Sequence, residues 1–327
     1  MFKKRIACVM AVLMLMGAAA ACSNTETTAG AGKKLSIVCT IFPEYDWVKE
    51  ILGDKAGGCE LTMLLDNGVD LHSYQPTADD IVKISSCDLF IYVGGESDAW
   101  VADALKEATN KNMVVINLLD VLGESVKEEE AVEGMESEKE EDGESEEGPE
   151  YDEHVWLSLK NAETLCGNIA EKLEALDPDN ADVYKANAEA YALKLNALDQ
   201  GYQDAVDAAS VKTLLFGDRF PFRYLTDDYG LSYYAAFAGC SAETEASFET
   251  IVFLAGKVDE LGLKNVMVID GSDESIAKTI ISNTTDKNQQ ICTLDSMQST
   301  TSDDVEAGVT YLSVMEGNLE TLKKALN

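Results

Sequence analysis

Residues Asp179 to Ala208 read DNADVYKANAEAYALKLNALDQGYQDAVDA, thirty residues with no proline and one glycine, Gly201. Val183, Ala186, Ala190, Leu193, Leu195, Leu198, Tyr202 and Ala205 recur at near-helical spacing, which predicts one continuous helix. At about 1.5 Å per residue it would be roughly 45 Å long, enough to traverse two small domains. A second helical stretch, Leu157–Ala175, leads into it and ends at Asp177-Pro178, where proline cannot continue a helix. A rod of that length in mid-chain implies a rigid spine with a lobe on either side, not a flexible hinge.

Apolar strand-like runs alternate with helical patterns on both sides of this rod. Before it, Leu35–Ile41, Glu60–Leu65, Asp88–Val93 and Met113–Asn117 read as strands, with helices over Asp46–Leu52, Thr77–Ile84 and Asp98–Thr109. After it, Thr213–Phe216, Ser232–Phe237, Asn265–Ile269 and Gln290–Leu294 read as strands. Arg219–Asp227, Ser247–Leu261, Glu274–Asn283 and Asp303–Leu326 read as helices. Such alternation gives a parallel sheet covered by helices. The expected fold is α/β, with two lobes (35–156 and 211–327) joined by connecting helices over 157–210.

The chain has 327 residues, 25 basic against 60 acidic, for a net charge of −35. That balance excludes a nucleic-acid partner, which needs a basic face, and suits a protein that handles cations. Lys3, Lys4 and Arg5 precede an apolar run, Ile6–Ala21, of 16 residues, short of the roughly 20 that span a bilayer. This is the form of an export signal. It ends in Ala19-Ala20-Ala21-Cys22, which resembles a bacterial lipobox. Residues 1–22 are therefore expected to be a lipoprotein signal peptide, with Cys22 carrying a lipid anchor to the outer face of the cytoplasmic membrane. Residues 23–34 are expected to be a flexible tether.

Glu124–Glu153 holds 16 acidic residues and 2 lysines. Such charge density cannot bury a core, so a disordered, self-repelling loop is expected there. The cysteines beyond Cys22 are Cys39, Cys59, Cys87, Cys166, Cys240 and Cys292. They are scattered without a CxxC pair, which argues against a zinc–thiolate cluster and leaves disulfides open.

The chain has two histidines, both among carboxylates. His72 lies in Gly68-Val69-Asp70-Leu71-His72-Ser73-Tyr74-Gln75-Pro76, just after the second strand, and His154 in Tyr151-Asp152-Glu153-His154-Val155-Trp156. Imidazole is a strong ligand for zinc, copper or nickel, and a nearby carboxylate can orient the ring. Read alone, each is equally an ordinary loop histidine.

Together, LLDNGVDLHSYQPTADDI and YDEHVWLSLKNAETL resemble the two signatures of the metal-binding lipoproteins that deliver zinc or manganese to bacterial ABC importers. The resemblance extends to Trp47 and Ile51-Leu52-Gly53, the spine, and Tyr311 with Asn318-Leu319. It implies that His72 and His154 are metal ligands. The family's third ligand falls within Gly217-Asp218-Arg219, where different registers select each of the three. Asp218 is chosen because its side chain alone can donate an oxygen. The fourth is matched by Asp295, with Asp270 in reserve. The resemblance implies a solute-binding protein rather than an enzyme: a monomer passing Zn²⁺, or alternatively Mn²⁺, to a permease and its ATPase. The rival readings are a surface metal-dependent hydrolase, with Glu153 or Asp270 as base, and an adhesin. No HExxH spacing supports the hydrolase.

Overall fold

A computed structural model of the chain describes residues 34–136, 150–241 and 245–327. The expected signal peptide with Cys22, the tether through residue 33, and residues 137–149 of the acidic stretch lie outside the described residues.

In the first half, β1 (Leu35–Cys39), β2 (Cys59–Met63), β3 (Leu89–Tyr92) and β4 (Val114–Asn117) form a parallel sheet in the order β2-β1-β3-β4. Helices α1 (Phe42–Leu52), α2 (Ala78–Ser86), α3 (Val101–Lys106) and α4 (Leu118–Leu122) connect and flank it. In the second half, β5 (Thr213–Phe220), β6 (Ser232–Ala238), β7 (Asn265–Ile269) and β8 (Gln290–Leu294) repeat the scheme as β6-β5-β7-β8, again parallel. Between the halves run α5 (Leu159–Leu176) and the 28-residue spine α6 (Ala181–Ala208). Helices α7 (Arg223–Tyr229), α8 (Phe248–Leu261), α9 (Ser275–Asn283), α10 (Ser302–Glu306) and α11 (Tyr311–Ala325) complete the second half. In each sheet the chain reverses its winding at the first strand, which splays the loops at the strand C-termini and leaves room for a ligand.

Local chemistry explains the boundaries. Thr77 accepts the Asp80 N–H while the Asp80 carboxylate accepts the Thr77 N–H, a reciprocal cap that starts α2. Ser158 caps α5 through the Asn161 N–H. The single helix expected over Asp303–Leu326 is broken in two: Gly308 takes φ +98°, a conformation glycine tolerates, and Thr310 caps a fresh start by accepting the Ser313 N–H. The largest departure is at β5, expected to stop at Phe216. It continues to Phe220 through a bulge between Phe216 and Arg219, and α7 begins only at Arg223.

The spine buries a narrow stripe, Tyr184, Tyr191, Leu195, Tyr202 and Val206, against α5, α1 and α11. Leu193, counted above among its apolar positions, is 73% exposed. One continuous apolar core draws on both halves. Trp156 donates its indole N–H to Ser296 O at 2.9 Å, and the Tyr311 hydroxyl donates to Trp156 O at 2.7 Å. The Tyr311 N–H reaches back to Asp46 Oδ2 at 2.8 Å, and its ring packs edge-on against Trp47. Leu35–Asn327 is thus one compact unit.

Glu44 is fully buried in the first turn of α1, where its Oε2 accepts from the Thr40 N–H (2.8 Å), the Thr40 hydroxyl and the Ile41 N–H. Burial, then the charge of Asp98, raises its pKa from 4.5 to about 8. The folded state therefore keeps a proton that the unfolded chain releases between those values. The contribution of this group to stability is full below 4.5 and is lost as pH rises toward 8. Glu44→Gln, neutral at every pH, should flatten a decline that one such group can make as steep as about 1.4 kcal/mol per pH unit. Urea midpoints at pH 5 and pH 8 that fall equally in both proteins would refute this.

Candidate metal centre

Three loops build the centre. The first joins β2 to α2. Gly68 turns it at φ +77°, and Asp70 Oδ1 accepts the His72 N–H at 3.0 Å, opening a one-turn helix at Leu71–Ser73. Tyr74 packs edge-on against Trp100 and donates its hydroxyl to Asp80 Oδ2 at 2.9 Å. His72 is thereby held between two anchored residues.

The second loop carries His154, and in residues 124–136 and 150–153 of the stretch expected to be disordered the chain is docked. Glu128 pairs antiparallel with Tyr151, the Asp152 N–H donates to Lys127 O at 2.9 Å, and the Tyr224 hydroxyl donates to Asp152 O at 2.8 Å. Glu130 pairs with Arg223, and the Glu136 N–H donates to Ala236 O at 2.9 Å. The described parts of the acidic stretch dock because backbone amides and Arg223 take up groups that would otherwise face only water. The third loop, Gly239-Cys240-Ser241, follows β6. The Cys240 N–H donates to Glu129 Oε1 at 3.0 Å.

These loops bring the two histidines together, Nε2 to Nε2, at 3.1 Å. His154 is completely buried, and its Nδ1 lies 3.0 Å from Asp152 Oδ1. A carboxylate there accepts a hydrogen bond from Nδ1–H, so the Nε2 lone pair points at His72. His72 Nδ1 lies 2.7 Å from Ser97 Oγ and 3.6 Å from Glu153 Oε2. Burial opposes charge on His154, but Asp152 outweighs it and raises the pKa above 6.5. Burial, then the His154 ring, lowers His72 to about 3. The pair thus has a place for one cation, a shared proton or a metal. Two nitrogens each about 2.0–2.1 Å from zinc stand roughly 3.3 Å apart at a tetrahedral angle, close to the spacing observed.

Among the described residues, the donor atoms of His72, His154 and Cys240 lie within 4.8 Å of one another. Sequence reasoning had set Cys240 aside. Burial, then Glu129, Asp152 and Glu153, pushes its thiol well above the usual range. The same negative surroundings favour a dication. The triad opens onto two cavities. The larger, about 550 Å³, is lined by His72 and Cys240 with Asp70, Asp218, Arg219 and Asp270. The smaller, about 270 Å³, has His72 and Cys240 among Glu96, Glu129, Glu150 and Glu153.

The expected carboxylate ligands are placed differently. Asp218 lines the larger cavity but is not in the triad; its Oδ1 accepts the Arg219 N–H at 2.9 Å. Arg219 reaches across to Asp70 Oδ2 at 2.6 Å. Gly217 has no room for a donor, since a Cβ there would lie 2.6 Å from Ala277 Cα of α9. Asp295 borders neither cavity; it accepts the Met297 N–H at 2.8 Å within its own loop, and burial with Asp270 raises its pKa to about 6. Asp270 lines the larger cavity while accepting from the Ser296 N–H and hydroxyl and from the Ser299 hydroxyl.

Gly239 permits the closest approach. A Cβ there would meet Phe220 O at 2.9 Å and the His154 ring at 3.0 Å. Gly239→Ala should tilt the imidazole and weaken metal binding by about 10-fold, the low end of what disturbing a ligand's supports costs. Competition against a chromophoric chelator, with unchanged circular dichroism, is the check; unaltered affinity would refute it.

Residues 37–325 match the family described as zinc-uptake complex component A, periplasmic. The chain is 32% identical over 307 residues to the zinc-binding lipoprotein AdcA of Streptococcus pneumoniae serotype 4, across 93% of its own length and 58% of that protein. It thus spans less than two thirds of the length of that relative. It is 31% identical over 312 residues to the high-affinity zinc uptake system protein ZnuA of Bacillus subtilis, across 94% and 93% of the two chains. The crystal structure of the Zn(II)-bound ZnuA-like domain of S. pneumoniae AdcA matches 90% of this chain and 99% of that one, with a TM-score of 0.69 at 29% identity.

Proposed function

Because the chain belongs to the zinc-uptake complex component A family, a transport family rather than an enzyme one, we propose that it captures Zn²⁺ between its two halves and delivers it to an ABC permease driven by an ATPase. The observation that carries this is the facing Nε2 pair at 3.1 Å, with the outer nitrogen of His154 held by Asp152. A carboxylate behind a ligating imidazole fixes its tautomer and raises its basicity. His72 and His154 hold the ion. Asp218 lines the same cavity as His72, but its Oδ1 is taken up by the Arg219 N–H. Asp295, engaged with Met297, serves its own loop and not the ion.

Zinc is favoured over manganese by the nitrogen donors and by what the relatives' names say they bind. No helix among the described residues is long and apolar enough to cross a membrane. A lipid on Cys22 would hold the protein near its permease, in keeping with a relative named as a lipoprotein. Stable anchoring needs more than one acyl chain.

The continuous core and the spine restrict capture and release to loop shifts and small rotations rather than wide closure. Full-length protein purified without chelator should carry one zinc per chain by native mass spectrometry with elemental analysis. A metal content of zero after incubation with zinc would end this reading.

A further inference from the structure

Resting on that reading, we propose that Cys240 binds the captured ion through sulfur, so that the site has two imidazoles and one thiolate and prefers zinc-like ions to manganese. Three placements carry this. First, the Cys240 donor atom lies within 4.8 Å of those of both histidines, and the nitrogen–sulfur spacing in a tetrahedral zinc site is about 3.6 Å, so a closing of roughly 1 Å completes the set. Second, the position of Cys240 is fixed from both sides: Gly239, lacking a side chain, lets the loop lie against the His154 ring, and Glu129 of the acidic insertion holds the Cys240 N–H. Third, the alternatives at the end of β5 are engaged elsewhere. Arg219 is bound to Asp70, Asp218 accepts the Arg219 N–H, and Gly217 is covered by α9.

The chemistry follows. Binding replaces the thiol proton with the metal and releases that proton to solvent. Neutral imidazoles and a thiolate are donors suited to zinc, whereas manganese favours oxygen. Cys240 lines both cavities, so solvent and ion can reach the sulfur without passing through the core.

Cobalt-substituted full-length protein tests this directly. A thiolate ligand gives a sulfur-to-cobalt charge-transfer band in the near ultraviolet, which should be present in the wild type and absent in Cys240→Ser and Cys240→Ala. Both variants should bind zinc about 100-fold more weakly, beyond what losing a mere support of a ligand costs, while still giving visible cobalt bands from the histidines. On the unmodified protein, zinc should slow alkylation of Cys240 at least about tenfold and leave Cys59 and Cys292 unchanged, a readout that needs no variant to fold. Wild-type protein that binds zinc with no ultraviolet band, unchanged affinity in both variants and no protection of Cys240 would overturn the sulfur ligand and leave the capture reading standing. Wild-type protein that binds neither metal would overturn both.

Discussion

His72→Ala should lower zinc affinity by at least about 100-fold with little change in folding stability, while His154→Ala should lose the same affinity and be markedly less stable. Each ring supplies one of the two facing nitrogens, 3.1 Å apart. Merely disturbing a group that orients a ligating imidazole costs 10–100-fold, so removing the imidazole itself costs at least the upper figure. The variants differ in what they leave behind. Truncating His72, which lines both cavities, frees the Ser97 hydroxyl at the edge of one of them. Truncating His154 leaves Asp152 buried without its imidazole partner, and removing one member of a buried pair is worth roughly 3–5 kcal/mol. Chelator competition and urea unfolding of the metal-free proteins separate the two effects. Zinc affinity preserved within threefold in His72→Ala would overturn the assignment.

Trp156→Ala should destabilise the metal-free protein by about 3–5 kcal/mol, as truncations of large buried aromatics do. Trp156 is 1% exposed and its ring lies 5.3 Å from that of His154. Its indole N–H joins the first half to Ser296 beyond β8, and its carbonyl receives Tyr311. Truncation therefore opens a cavity and strands an acceptor on the far side of the core. Trp156→Phe keeps most of the volume and should lose only about 1–2 kcal/mol through the missing hydrogen bond. The check is the urea midpoint at constant slope; equal losses for the two substitutions would show that packing at this position matters less than argued.

Much of this was legible in the sequence because it follows from local periodicity. Val266–Ile269 or Phe90–Ile91 cannot be solvated, and the spacing between such runs leaves room for crossover helices alone. The spine was legible as a helix, yet only part of its buried face was. Leu195 and Tyr202 stand in the periodic pattern, but Tyr184 and Tyr191, whose hydroxyls obscure their apolar bodies, do not, while Leu193 looks outward. The histidines stood out because there are only two and both sit in recognisable motifs. Cys240 did not, because its relation to them is made only by folding: it meets Glu129, 111 residues away, in the first half of the molecule. A signal was nevertheless present. Both sheets have the same strand order, and β6 occupies in the second the edge that β2 occupies in the first. His72 follows β2 as Cys240 follows β6, so the internal repeat of the fold marks the two loops as equivalent. Asp295 was chosen by likeness alone, which says nothing of the turn its Oδ1 makes with the Met297 N–H.

The contact between Tyr311 and Asp46 links residues 265 positions apart, and it determines when the protein can be finished. As the chain is delivered residue by residue, α1 remains without α11, one of the helices that pack on it, until Tyr311 and the residues after it have been added. Contacts so distant in the chain are slow to form. The N-terminal half must therefore wait, incompletely covered, for its partner to arrive, and chains that stop short of the final helix leave it a target for proteases and aggregation.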